Sequence, residues 1–420
     1  MAYSTTDQNE VVKELLDAKI QKSFENNTEA MKRFKKETAV ETITGRGREF
    51  VLNLQNNESY GSIAEGGNFP AAGEMVDDRA VVNFRNQFAS FDFTGSVEDL
   101  KNNMTLQDTL QRIVKDTTEA FDEKQEFWLF GDGSGEVARI DTVSSNDITC
   151  LNNVTYAHGA RMVRKGQRLN AYDISGAAYR SGDMVVSSVN RSTDVVAVDT
   201  AATGIATDDD DILVFEDSYG AAPQGMRYHV ADDSTWLGFT RSTTTGTQSL
   251  VYDAASASID FDIIEAAEQR SGNVRGDSAP SFEFLFFAHP VQKRYLKALA
   301  RSAGNVSFNA QLAGNKNVDL IVKDTTPGGS EIVTSSWCAP SDVFGLRMKD
   351  WSIQEVQPRQ LYKHSSGEIF IQSLATGPVY KDAKEGRIYW RYNILCKNPA
   401  KQLRIKNLNF ATADCRIKRA

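Results

Sequence analysis

Residues 105–135 read TLQDTLQRIVKDTTEAFDEKQEFWLFGDGSG, and this stretch decides the fold. Apolar residues recur at Leu106, Leu110, Ile113, Val114, Phe121, Trp128 and Leu129, close to the 3.6-residue period of an amphipathic helix. Thr105 with Asp108 three residues on is a weaker relative of the capping box. The run Gly131-Asp132-Gly133-Ser134-Gly135 stops the helix, because glycine accepts the left-handed backbone that ends many helices. At 1.5 Å per residue such a helix spans roughly 38 Å, about the width of a small domain. A helix that long suits a chain lying flat across neighbours better than a compact catalytic pocket.

Upstream, Arg48 to Leu54 alternates like a strand, and Arg79 to Arg85 reads as a second. Between them lies a tip of some twenty residues with Gly61, Gly66, Gly67, Pro70 and Gly73. A loop that long is usually functional or disordered. Two strands alone are marginal in water, so this arm needs a partner surface. Further upstream, Val12, Leu15, Leu16, Lys19 and Ile20 follow a helical pattern, with Asp7 as cap, and predict a helix over residues 8–36. Its basic end, Lys32, Arg33, Lys35 and Lys36, is either a solvated face or a contact for an acidic partner or nucleic acid.

Downstream the chain turns β-rich. Residues 181–190 and 194–199 form a hairpin about Asn190-Arg191-Ser192-Thr193, and 211–215 adds a strand. Residues 140–225 read as a small inserted β module. Helix and strand then alternate, with helices at 260–269 and 290–301 and strands at 282–287, 319–322 and 342–346. Longer strands follow at 368–374, 387–396 and 402–405, then a basic tail.

The search for chemistry returns decoys. The Gly131–Gly135 run follows a helix rather than a strand, so it fails the phosphate-loop context, and Ser134 lacks the spacing of a nucleophile elbow. His158, His229, His289 and His364 are isolated, without metal or triad spacing. Asp208-Asp209-Asp210-Asp211 lacks the glycine and spacing of a calcium loop and reads as a solvated turn. Cys150, Cys338, Cys396 and Cys415 form no C-x-x-C pair and read as free thiols. No acid, base and nucleophile converge, so an enzyme is not expected, nor a cofactor or metal.

The 420 residues are 40% hydrophobic, with 22 Phe, 13 Tyr and 5 Trp, ample for a large core or two to three domains. A net charge of −9 argues against a dedicated nucleic-acid grip. No secretory signal stands at the start, and the densest apolar run, 282–291, is too short to cross a bilayer, so no membrane partner is expected.

The order of parts, with Phe130 to Gly135, Gly225-Met226-Arg227, Trp236 to Ser242 and Arg391 to Pro399, resembles the major capsid proteins of tailed phages, the Hong Kong 97-type fold. The resemblance implies an α+β chain with an N-terminal arm (1–45), an extended loop (46–92) and a peripheral domain with a long spine helix (93–139 and 348–396). It further implies an inserted small β module (140–225) and an axial domain (226–347 and 397–420). The implied role is to self-assemble into hexamers and pentamers of an icosahedral head enclosing double-stranded DNA, in the virion, after assembly in the host bacterial cytoplasm. Implied partners are a portal protein, a separate scaffolding protein (the arm begins almost at Met1) and a cement or decoration protein.

In such a shell the extended loop lies over a neighbour's spine helix. Val51, Leu54, Val82, Phe84 and Phe88 would contribute from the loop, and Leu110, Phe121 and Trp128 from the helix. Lys32, Arg33, Lys35 and Lys36 would form an interior basic arm. Some relatives cross-link through a loop lysine, yet none occurs from Glu49 to Leu100, which implies a non-covalent shell. Three other readings stand beside this one: an encapsulin-like nanocompartment, a carbohydrate-binding β module on a surface protein, and an α/β enzyme.

Overall fold

The computed structural model describes residues 28–38, 47–55, 61–63, 67–69, 76–94, 103–151, 159–173, 179–199, 211–232, 234–275, 284–302, 331–364, 367–374 and 380–411. The architecture is α+β. Helix α1 spans Asn103–Leu129, as the apolar period predicts. It lies on a sheet of five strands: β1 (Lys35–Thr38), β4 (Arg85–Thr94), β17 (Trp351–Leu361), β18 (Ile371–Leu374) and β19 (Tyr380–Cys396). The 17-residue β19 is the spine of this sheet, pairing antiparallel with β17, β18 and β4. Along β19 the side chains of Ile388, Trp390, Tyr392 and Ile394 recur at the two-residue strand period and are buried. Phe91 and Phe93 of β4 join Val114 of α1 in a small apolar cluster on the same face.

The expected helix over residues 8–36 does not extend through its described part. Residues 31–33 form one 3-10 turn, and β1 then pairs in parallel with β17. Tertiary packing overrides the helical pattern here. Phe34 is buried between Phe287 and Trp351, with ring centroids 6.0 and 5.7 Å away. The rest of that segment lies outside the described residues.

Strands β2 (Gly47–Gln55) and β3 (Val76–Asn83) form a separate two-stranded sheet, the hairpin that the alternation predicts. After α1 the chain closes a six-stranded barrel in the order β10-β5-β6-β9-β8-β7. Its strands are β5 (Glu136–Ser144), β6 (Asp147–Cys150), β7 (Arg168–Tyr172), β8 (Tyr179–Asn190), β9 (Val195–Val198) and β10 (Ile212–Phe215). Ile148, Val196, Val198 and Leu213 fill its core. Asp211 is not the solvated turn residue that its acidic run suggests. Its side chain is fully buried, 3.5 Å from Arg180; Asp208, Asp209 and Asp210 lie outside the described residues.

The last body is a mixed sheet in the order β13-β20-β16-β14-β15, from Leu250–Asp253, Leu403–Lys406, Val343–Leu346, Leu285–Ala288 and Ile332–Thr334. The short α2 (Met226–His229) and the paired strands β11 (Thr235–Trp236) and β12 (Phe239–Thr240) precede it, and α3 (Phe261–Arg275) and α4 (Pro290–Ser302) belong to the same region. Ile264 and Ala267 of α3 and Leu296 of α4 share a core with Phe286, Val343 and Leu403 of the sheet. The strand expected at 319–322 lies outside the described residues. No helix among them is long and apolar enough to cross a membrane.

Candidate assembly surface

The Gly-rich stop after α1 is where three bodies meet. Gly133 and Gly135 adopt φ of +88° and +86°, which a side chain would strain. Asp132 Oδ1 accepts hydrogen bonds from the backbone N–H of Ser134 at 2.9 Å and from its hydroxyl at 2.6 Å, which sets the turn. Gly225 abuts the helix end: a Cβ there would lie 2.4 Å from the carbonyl oxygens of both Trp128 and Leu129. The Gly225-Met226-Arg227 motif therefore exists because only glycine lets this segment lie across the end of α1.

A buried polar network follows. Trp236 donates its indole N–H to Nδ1 of His229 at 2.8 Å, and His229 Nε2 faces the carbonyl of Ile394 at 3.0 Å. That pair of partners selects the neutral tautomer with its proton on Nε2. Burial pushes the His229 pKa down to about 3, helped by the nearby Arg241 guanidinium. Arg241 is itself buried and donates to the carbonyls of Tyr228 at 2.7 Å and His229 at 3.0 Å, satisfying the exit of α2. These two residues explain the Trp236–Ser242 motif as a structural clamp.

The described N-terminal segment is anchored by acids of its own chain. Glu126 of α1 is buried and accepts the backbone N–H groups of Ala30 at 3.0 Å and Met31 at 3.1 Å. Burial raises its pKa despite those hydrogen bonds. One turn earlier on the same helix face, Asp122 forms a fully buried ion pair with Arg359 of β17. Burial draws the Arg359 pKa down to about 9. Glu37 of β1 is a hub for Arg48 at 3.4 Å, Lys35 at 3.5 Å and Lys397 at 3.7 Å. Its hydrogen bond from Gln354, then Lys397 and Lys35, hold its carboxyl below the usual range. Sequence reading missed all three acids; the four-residue spacing of Asp122 and Glu126 was the available signal, since it puts both on one helix face.

The expected contact residues divide sharply. Val51 is 67% exposed and Phe88 is 50% exposed. Val82, Phe84, Phe121 and Trp128 are instead buried within their own chain. Val82 and Phe84 sit at the hairpin base, and the two helix residues share a core with the barrel and the first sheet. The side chains of Leu54 and Leu110 lie outside the described residues. The four basic residues are paired internally: Lys32 with Glu29, Arg33 with Glu331 at 2.9 Å, and Lys35 with Glu37. Lys36 lies 5.9 Å over the Trp390 ring.

Among the described residues no three His, Cys, Asp or Glu gather to hold a metal. Cys150, Cys338 and Cys396 are free and buried, with thiol pKa values raised by burial. His289 is buried and His364 half-buried, while His158 and Cys415 lie outside the described residues.

The chain is similar over 91% of its length to 93% of a chain in the cyanophage A-1(L) capsid asymmetric unit, with a TM-score of 0.50 and 8% identity. Weaker likenesses include the capsid of a native GTA particle (TM-score 0.43, 8% identity, 90% of each chain). A virus-like particle from Pyrococcus furiosus has a TM-score of 0.39 at 9% identity, over 94% of this chain and 99% of that one. No family model and no curated protein sequence matches the chain.

Proposed function

We propose that this chain is the major capsid protein of a tailed double-stranded DNA phage, assembling into the hexamers and pentamers of an icosahedral head. The observation that carries the reading is the fold likeness to the cyanophage capsid across nine-tenths of both chains. The hairpin supports it, because β2 and β3 pair only with each other among the described residues and leave Val51 outward. Buried against a neighbour, each such side chain contributes roughly 1–3 kcal/mol, and a shell multiplies that by its copy number.

In this reading residues 1–45 are the arm, 46–92 the extended loop, 93–139 with 348–396 the peripheral domain, 140–225 the insertion and 226–347 with 397–420 the axial domain. The pairing of β4 with β19 supports grouping residues 85–92 with the peripheral domain rather than the loop in this reading. The arm acts as an anchor rather than a DNA lining, since its four cations are engaged within the chain. Portal, scaffolding and decoration proteins are the expected partners, with assembly in the host cytoplasm.

Electron microscopy of the purified chain, expressed with and without its genomic neighbours, tests the reading. Closed shells or capsomers are expected, and a monomer under both conditions overturns it. DNA inside shells from infected cells supports the phage head; enzyme cargo supports the encapsulin-like alternative. With no lysine in the loop, mature particles should dissociate on a denaturing gel, and a high-mass ladder counts against a non-covalent shell.

A further inference from the structure

The central sheet has two faces, and α1 covers one of them, where Phe91, Phe93 and Ile388 meet Val114. Alternation turns the intervening residues to the opposite face. There Phe88 of β4 stands opposite Tyr389 of β19, and Gln360 of β17 flanks Tyr389 on its other side. The Phe88 and Tyr389 rings lie 4.8 Å apart at 31°, and Tyr362, next after β17, sets its ring edge-on 5.7 Å from both. Phe88 is 50% exposed, and the two tyrosines are half-buried. Asn86 accepts a hydrogen bond from the Tyr389 hydroxyl at 3.1 Å, and the Gln360 amide donates to that of Gln357 at 3.2 Å, both at the exposed surface. Three strands at ~4.8 Å spacing make this a platform about 10 Å across.

Aromatic rings set among amides in one plane suit a ligand with an apolar face and a polar rim. A pyranose ring is built that way: its C–H bonds meet the electron-rich face of an aromatic ring, and its hydroxyls exchange hydrogen bonds with planar amides. Single-stranded nucleic acid also stacks on aromatic platforms, but it needs a cationic track for its phosphates. Charge on this face argues against it. Arg387 and Arg391 flank the platform, Arg387 is matched by Glu385 at 2.7 Å, and the whole chain carries −9. We propose that this face of the sheet binds a neutral oligosaccharide, with a sugar ring laid on the Phe88–Tyr389 pair and its hydroxyls held by Asn86, Gln357 and Gln360. The inference goes beyond the shell reading and stands without it. It also places the sugar on the central sheet, away from the barrel.

Calorimetric titration of the purified full chain with maltohexaose, cellohexaose and chitohexaose tests this, with a single-stranded oligothymidylate as the competing class. At least one sugar is expected to bind in the millimolar range or tighter. Phe88→Ala should weaken that binding about fivefold or more, since it removes the most exposed ring of the platform. Gln360→Leu keeps the size of the side chain and removes its amide, and a comparable loss is expected. Tyr219→Ala, which deletes a 37% exposed ring from another surface, should leave the affinity unchanged. The unfolding midpoint of each variant shows that it is folded. Binding to none of the three sugars overturns the proposal, as does binding of the oligothymidylate alone. Sugar affinity that survives both Phe88→Ala and Gln360→Leu, or that is lost with Tyr219→Ala, overturns the assignment to this face. Sugar binding by a chain that forms no shells supports the site while overturning the shell reading, and shells without sugar binding do the reverse.

Discussion

The barrel and the hairpin are both made of antiparallel strands, yet they solve the strand-edge problem in opposite ways. The barrel closes β7 onto β10, so each of its six strands has two neighbours, and its core side chains meet only protein. The hairpin stops at two strands, holds its base to the body through Val82 and Arg48, and leaves Val51 in water. The difference separates what the chain needs to fold from what it leaves exposed. A substitution in the barrel or the central sheet should act on stability, and one in the outer hairpin on association.

The largest effects are expected where burial is complete and charged. Arg359→Ala leaves Asp122 buried without its cation, which costs about 3–5 kcal/mol. Chemical denaturation of the unassembled chain measures this; a loss below about 1 kcal/mol would mean that α1 and β17 are not held by the pair. Leu213→Ala in the barrel, fully buried, should cost about 2–5 kcal/mol by the same measurement.

Next comes the junction between barrel, helix and second sheet. Gly225→Ala places a methyl against two backbone carbonyls that cannot swing away, so about 1–3 kcal/mol is expected. An unchanged denaturation midpoint would show that the segment crosses the end of α1 more loosely than its 2.4 Å approach implies.

Acid should weaken the same junction by a smaller amount per step. His229 has a folded pKa of about 3 and His289 of about 4, both below the ordinary 6.5 because of burial. Below pH 6.5 the unfolded chain takes protons that the native histidines refuse, so their contribution to stability is lost as pH falls toward those values. Each histidine accounts for about 1.4 kcal/mol per pH unit at most. Glu268 acts the other way: burial and neighbouring Glu265 raise its pKa to about 7, so the native state gains from its protonation between pH 7 and 4.5. Burial raises Glu126 and Glu136 as well, so they act in the same direction as Glu268, and the histidine share is isolated by substitution rather than read from the net slope. His229→Phe should be less stable at pH 7 but fall less steeply, and a parallel pH profile would remove His229 from the account.

How much of this was legible in the chain depends on where the information sits. The apolar period of 106–129, the Gly stop, the hairpin strands and the 181–199 turn are local, and reading them needs only a few neighbouring residues. The segment around Phe34 was misread because its conformation is decided by Phe287 and Trp351, far away in sequence. β17 was missed for a similar reason. Its polar residues Gln354, Glu355 and Arg359 are buried and partnered by Glu37, Trp390 and Asp122, so the two-residue alternation that betrays a strand is absent. Among the expected contact residues, hydrophobicity marked both kinds alike. Val51 and Val82 belong to the same hairpin, and only the fold tells which one the body covers.

That last pair yields the smallest stability effect and the sharpest test of the comparison. Val51→Ser should change the unfolding free energy of the unassembled chain by no more than about 0.5 kcal/mol, because the side chain is already 67% exposed. Val82→Ser, on the neighbouring strand but fully buried, should cost several times more, since it loses apolar burial and hides a hydroxyl. Under the proposed shell reading, assembly should rank them in reverse once both variants are compared at concentrations where each is folded: Val51→Ser would shift the shell–subunit equilibrium, and Val82→Ser would shift it only through its unfolded fraction. Light scattering against concentration reads that ranking. If Val51→Ser assembled like the native chain, the outer hairpin would be idle surface and the contact between subunits would have to be sought elsewhere on the molecule.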